Sequence, residues 1–263
     1  MSAKNARSTR SIVANSKDIT SGRANILLIG DAGTWKTRFL GGVPGIEVLD
    51  FDAGMAINRD RAVEYWTFKE KARGEPPKKF EADNGIYAWG TAWQAMLLRI
   101  NEIGARIDAG KGPKAIGLDS LTFFGEIALN KVASEQKDPV VHKGTYGGQI
   151  NHMKGILSQL SAWPIRLVAT AHIQRDTNDL TGVTEKLPLL TGKLAGLVAA
   201  LFDEVYFCES EVQADGTQKF TVKTKATPEM RQAKSRWGVP NGTETSWEAI
   251  SKYMPAAPAY ARG

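Results

Sequence analysis

Cysteine is almost absent from this sequence of 263 residues, where Cys208 stands alone. A single cysteine excludes an internal disulfide and a cysteine-based zinc cluster, and it fits a reducing cytoplasm. Long apolar runs are missing too, so no stretch approaches a membrane-spanning length. The opening MSAKNARSTRSIVANSK is basic but lacks the apolar centre of a secretory signal, and it is expected not to be one. No internal repeat is visible. Acids are the minority charge, and a net charge of +6 permits an anionic partner such as nucleic acid without requiring one. With 42% hydrophobic and 24% charged residues, the remainder suits one large globular domain or a core domain with appendages.

Residues 1–23 are polar, with Lys4, Arg7, Arg10, Lys17 and Arg23 and no acid before Asp18; they read as a flexible basic arm. A core is expected over 24–253 and a disordered tail over 254–263. Four apolar runs read as buried strands: NILLIG (25–30), GIEVLDFD (45–52), KAIGLDSLTFF (114–124) and IRLVATAH (165–172). A helix should begin near Lys36. Trp93, Met96, Leu97, Ile100 and Ile103 form one stripe of a helix over 88–107, and a second helix is expected over 149–163. Residues 67–86 read as a surface excursion and 134–148 as a basic, glycine-containing loop. Residues 173–191 read as a long polar loop, of a length uncommon unless functional or disordered. DEVYFCESEV and KFTVKTKA flank QADGTQ and read as a hairpin turning at Asp-Gly. Strands alternating with helices predict an α/β fold: a mostly parallel central sheet, helices on both faces and a C-terminal β-hairpin. Ligands of such sheets bind at the carboxyl ends of the strands, where Gly30, Asp52, Asp119 and His172 all fall.

GDAGTWKT, from Gly30 to Thr37, lies between the first strand and the first helix. A phosphate loop works by surrounding phosphates with backbone N–H donors at a strand-to-helix turn. Gly30 and Gly33 suit its tight positions, and Asp31, Ala32, Thr34 and Trp35 complete its backbone. Lys36 is expected on the β- and γ-phosphates, Thr37 on Mg²⁺, and Arg38 beside them, with ATP as the nucleotide. Trp35 stands where the pattern G-x-x-x-x-G-K-[ST] has glycine. If position 35 lies in the first helical turn, its backbone is helical and only the side chain needs room. The indole then either packs against the protein or lies against the nucleotide. Asp119 closes an apolar strand, as the second metal-holding acid does, or as a helix cap does. Asp52 is expected to orient or deprotonate the attacking water, with Asp50 on the same strand face as its competitor. His172 is either a sensor of the γ-phosphate, acting with Asp52 and Lys36, or structural. Lys223 and Lys225 share a strand face and meet either solvent or a phosphate in a neighbouring subunit.

The order GDAGTWKT, LDFDAG, GLDSLT, LVATAH, LTGK and VKTK, over roughly 24–230, resembles the RecA-fold recombinase core. It looks most like the small P-loop ATPases of bacteriophages grouped with Sak-type single-strand annealing proteins and AAA-type phage nucleotide-binding proteins. The resemblance implies an ATPase that uses ATP and Mg²⁺, binds single-stranded DNA and supports phage recombination or annealing. It puts Asp52 in the place of a catalytic glutamate and His172 in that of a residue coupling nucleotide to DNA. It makes 134–147 and 173–191 the two DNA-binding loops, which offer Lys137, His142, Lys143, Tyr146, Arg175 and Lys186. It also implies a homo-oligomer, filament or ring, with Lys223 and Lys225 reaching ATP across the subunit interface. A single-strand-binding protein is an expected further partner, and the host cytoplasm the expected location. Trp35, the short Asp52 and the expected lack of large accessory domains depart from the recombinase pattern: the first two bear on the hydrolysis rate, and the third favours annealing or strand handling over full strand exchange. A second class of function stays open: a nucleotide-gated binding module with little or no hydrolysis.

Overall fold

A computed structural model of the chain describes residues 24–136, 141–177, 179 and 182–254. The expected arm (1–23) and all of the expected tail except Met254 lie outside them. In chain order, β1 (Ile26–Gly30) leads to α1 (Lys36–Leu40), β2 (Ile46–Asp50) and β3 (Glu64–Thr67). An excursion then carries β4 (Lys69–Glu70), α2 (Lys79–Asp83) and β5 (Ile86–Tyr87). The chain returns through α3 (Ala92–Asp108), β6 (Ala115–Asp119), α4 (Leu121–Ser134), α5 (Lys143–Ala162) and β7 (Arg166–Ala171). It continues with β8 (Ile173–Thr177), β9 (Thr184–Pro188), α6 (Lys193–Leu197), β10 (Glu204–Val212) and β11 (Gln218–Lys223). Last come β12 (Lys234–Ser235), β13 (Thr243–Glu244) and α7 (Trp247–Ile250).

Nine strands form one sheet in the order β13-β11-β10-β1-β7-β6-β2-β3, with β12 added beside β10. From β10 through β3 every pairing is parallel, and the antiparallel pairs gather at the β11 end. The reason is legible in β1, where all five residues of ILLIG are buried because both faces are covered. Ile26 and Leu28 pack with Phe39 and Leu40 of α1 and Ile250 of α7 on one face. Leu27 and Ile29 pack on the other with the apolar stripes of α3, α4 and α5. Each fully buried side chain of this kind contributes about 1.5–3 kcal/mol. The expected stripe of α3 is the buried one, except that Leu97 is only partly covered; Trp93 stacks on Phe124 of α4 at 5.7 Å. The hairpin of β10 and β11 also forms as expected, with Gly216 in the left-handed region at its turn.

Four expectations need correcting. KAIGLDSLTFF is not one strand: β6 stops at Asp119, and α4 starts two residues later with Leu121 and Phe124 turned into the core. Residues 173–191 are not one long loop, because β8 and β9 pair antiparallel from Ile173↔Pro188 to Thr177↔Thr184. The base of that hairpin is closed by Leu189 N–H on the His172 carbonyl, and its middle is held by Lys186 N–H on that of Glu229. The loop over 134–148 is shorter than expected, since α4 runs through Ser134 and α5 already begins at Lys143. His142 N–H donates to Thr145 Oγ1 at 3.0 Å and closes the first turn. Lys225 does not share a strand face with Lys223, because β11 ends at Lys223. Beyond it, Asn241 Oδ1 accepts the N–H groups of Thr224 and Lys225 and turns the chain away. No described helix is long and apolar enough to cross a membrane.

Candidate functional site

The carboxyl ends of β1, β7, β6 and β2 lie side by side, and parallel pairing sets their register. Asp50 faces Asp119 across β2 and β6, and Ile29 faces Ala171 across β1 and β7. Gly30, Asp119, Asp50 and His172 therefore meet along one edge. A cavity of about 190 Å³ opens there, lined by Lys36, Thr37, Asp52, Asp119, Thr170 and His172 among others.

The phosphate loop crosses this edge under close steric limits. A Cβ on Gly30 would stand 2.7 Å from the Cys208 carbonyl and 2.7 Å from Thr34 Oγ1, so glycine alone fits there. Gly33 has φ +76°, which glycine adopts freely. Lys36 is buried and turned onto the loop itself. Its Nζ donates to the Gly30 carbonyl at 2.9 Å, the Asp31 carbonyl at 2.7 Å and Thr34 Oγ1 at 3.2 Å. Burial lowers its pKa, while the nearby Asp119, Asp31 and Asp52 favour the charged form. α1 has only five residues before Gly41 and Gly42, so a summed helix dipole contributes little. Loop N–H groups and the Lys36 ammonium are what the site offers an anion.

Trp35 overturns one expectation. Its backbone is not helical but left-handed, with φ 71° and ψ 9°. A left-handed non-glycine residue costs about 1–3 kcal/mol. The indole stacks on Phe220 of β11, with centroids 4.4 Å apart and 17° between planes. Such a pair contributes about 0.5–1.5 kcal/mol beyond area burial, enough to offset much of the strain. The indole thus packs against the protein, and Trp35 also lines the cavity.

Opposite the loop stand three acids, and one oxygen of each lies within 4.8 Å of the others. Asp119 is 1% exposed. The Thr170 hydroxyl bonds to it, while its Oδ2 has no hydrogen-bond partner. A buried unpaired oxygen costs about 1–3 kcal/mol, so this atom calls for a cation or a proton. Burial, and then the charge of Asp52, push the Asp119 carboxyl up to about 6. Burial, and then Asp119 and Asp52, push Asp50 up to about 7. Asp50 accepts from Gly54 N–H at 3.2 Å and Met55 N–H at 3.4 Å. Asp52 lies past the end of β2, half-buried, where it accepts from Gly54 N–H at 2.9 Å. Ala53 between them has φ 64°, and that turn brings Gly54 N–H to both carboxylates. The donor set fits Mg²⁺: hard oxygens from Thr37 and Asp119, with a lone Oδ2 to spare.

His172 follows β7, half-buried, edge-on to Phe123 at 5.6 Å. Its N–H donates to Thr122 Oγ1. Burial, and then Lys36, lower its pKa, so the ring is neutral near pH 7. Arg38 also lines the cavity, and its guanidinium forms a bidentate pair with Asp60 and donates to the Ile57 carbonyl.

A second cavity, of about 500 Å³, flanks the loop on its β10 side. Asp31 reaches into it and forms a bidentate pair with Arg175 of β8, at 2.6 and 3.2 Å. Lys186, the cross-strand partner of Arg175, stands 3.6 Å from both Glu209 and Glu229. Lys223 pairs with Glu209 at 3.5 Å. Arg175 and Lys186 are thus brought together against the phosphate loop. His142, Lys143 and Tyr146 sit elsewhere, at the start of α5, all exposed. Lys137 lies outside the described residues. Among the tryptophans, Trp93 is buried, and Trp66, Trp163, Trp237 and Trp247 pack against the clusters. Sequence reasoning missed Thr170 and Phe220. Thr170 was visible in principle, two residues before His172 and so on the same strand face.

Residues 23–237 match the AAA domain family AAA_24. The chain belongs to that family. It is accordingly a P-loop nucleotide-binding protein. No curated protein matches the sequence. Among solved structures the chain is similar to a KaiC-like protein from the hyperthermophilic archaeon Pyrococcus horikoshii OT3. The two share 14% identity over 76% of this chain and 77% of that one, with a TM-score of 0.34.

Proposed function

We propose that the chain hydrolyses ATP with Mg²⁺, binds single-stranded DNA and serves phage recombination or strand annealing. The observation that carries the hydrolytic half is the meeting of Lys36, Thr37, Asp119, Asp52 and His172 on one cavity. Phosphoryl transfer needs positioning and charge stabilisation more than covalent help from the protein. Lys36 leaves the Gly30 and Asp31 carbonyls for phosphate oxygens. Thr37 and Asp119 hold Mg²⁺, which when bound neutralises charge on the transferring group. Asp52, nearer solvent than Asp50, orients the attacking water and accepts its proton. His172 stands between these groups and β8, placed to pass the state of the site to the hairpin.

The DNA half is supported by Arg175. It sits on the hairpin and is bonded to the phosphate loop through Asp31. Phosphates of a single strand suit Arg175 and Lys186, and Tyr146 offers an exposed ring beside His142 and Lys143. In a homo-oligomer, filament or ring, Lys223 and Lys225 act on a neighbour's nucleotide. One observation favours the second reading, a nucleotide-gated binding module with little turnover: Asp52 already spends one oxygen on Gly54 N–H.

Mg²⁺-dependent ATP hydrolysis, measured with and without single-stranded DNA against a Lys36→Ala blank, separates the two. DNA-stimulated turnover is the expected result. Binding of ATP with no turnover above the blank would leave the gated module.

A further inference from the structure

We propose that Phe220 is a positioning residue for the phosphate loop: it holds Trp35 in the left-handed conformation that sets Lys36 and Thr37 at the cavity. The inference rests on the nucleotide-binding reading of that loop.

Trp35 and Ala53 are the non-glycine residues with positive φ among those described, and both border the acid-lined edge. Ala53 is held by the bonds that Gly54 N–H makes to Asp50 and Asp52. Trp35 has no side-chain capping bond, so its left-handed backbone depends on where the indole packs. The indole packs on Phe220. Phe220 is in turn fixed by the sheet. It pairs with Ser210 of β10, and its carbonyl accepts Thr245 N–H at 3.0 Å.

The conformation of residue 35 matters because the Trp35 carbonyl accepts Phe39 N–H at 2.9 Å, the bond that starts α1. Lys36 and Thr37 come next. If Trp35 relaxes to an ordinary φ, that bond breaks and both side chains leave their places. Glycine at this position would need no such brace, because it adopts positive φ at no steric cost. Trp35 and Phe220 are therefore a matched pair, in which the ring of one makes the backbone of the other tolerable.

The test is nucleotide affinity, by calorimetric titration with Mg-ADP, in a cycle of four proteins. Phe220→Ala should weaken binding about tenfold when Trp35 is present, the loss expected when an aromatic pair no longer opposes backbone strain. In a Trp35→Gly background the same change should have no further effect. Phe220→Tyr keeps the ring and should restore affinity, and Phe220→Leu should fall between. In steady state the loss should appear in KM for ATP rather than in kcat, since a loop that has closed on nucleotide is the same loop. Equal weakening by Phe220→Ala in both backgrounds would overturn the inference, because it would make Phe220 a plain support of the hairpin. So would full affinity of Phe220→Ala beside Trp35. If the unaltered chain itself bound no nucleotide, the reading of the loop would fall as well.

Discussion

The two cavities that flank the phosphate loop are built from opposite materials. On the α1 side the charged and polar groups are buried: Lys36, Asp119, Asp50 and Thr170 are all nearly inaccessible. On the β10 side the ion pairs are open to solvent, with Asp31 and Arg175 each about half exposed. Electrostatic interactions are strong in the first setting and weak and salt-screened in the second. A ligand of the buried cavity must replace a bonded partner, as a phosphate replaces carbonyls on Lys36, and the gain is large. A ligand of the exposed flank only exchanges one solvated partner for another. The fold thus joins a tight site to a readily rearranged one through a single residue, Asp31, whose carbonyl accepts from Lys36 and whose carboxylate holds Arg175.

The largest expected effect lies on the buried side. Lys36→Ala should weaken nucleotide binding by about a hundredfold or more, because charge-assisted bonds in a desolvated site are lost. Calorimetric titration measures it, and unchanged affinity would remove the loop assignment. Next is Asp52→Asn, which should lower kcat by about a hundredfold or more while ATP affinity stays near its original level. Asp50→Asn is the control that sharpens the point. Asp50 is buried and, unlike Asp52, does not line the cavity, so its loss should alter turnover far less. Equal losses from both would move the water-activating role off Asp52.

The buried side was also the more legible in the sequence. Gly30, Lys36, Asp119 and His172 could be placed because a five-residue parallel strand buried on both faces leaves an apolar run with a marked end. The hairpin of β8 and β9 could not. Its strands are half-exposed and carry Gln174, Arg175, Asp176, Glu185 and Lys186, so no apolar alternation marks them. The start of α4 was hidden because LTFF, directly after Asp119 and Ser120, is as apolar as β6 itself. The left-handed backbone of Trp35 was hidden for another reason: it depends on Phe220, a contact across the whole chain that no local pattern encodes.

A medium effect should follow from pH. Asp119 at about 6 and Asp50 at about 7 hold protons in the folded chain that unfolded carboxyls, near 4, have released. The folded state therefore binds more protons through this window, and its stability falls as pH rises from about 4 to about 7. A divalent cation bound there would take the place of those protons, so Mg²⁺ affinity should climb over the same range and the metal should offset the loss of stability. Thermal unfolding at about pH 5.5 and about pH 7.5, with and without Mg²⁺, gives both signs. Asp50→Asn should flatten the metal-free slope. A metal-free Tm that rises with pH would contradict the buried, repelling carboxylates.

The smallest effect is expected on the exposed flank, and its smallness is what tests the contrast. Asp31→Ala frees Arg175 without touching the Lys36 contacts to loop carbonyls. Folding stability should barely change, since exposed pairs contribute little. Affinity for single-stranded DNA, followed by fluorescence anisotropy, should rise a few-fold at low salt, because Arg175 no longer has to leave a carboxylate. Arg175→Ala should act in the opposite sense and lower the salt slope by about one, as expected for one lost phosphate contact. The gain from Asp31→Ala should disappear when Arg175 is already alanine. If it persists there, the carboxylate acts only by general repulsion of DNA, and the hairpin and the phosphate loop are neighbours without being coupled through this pair.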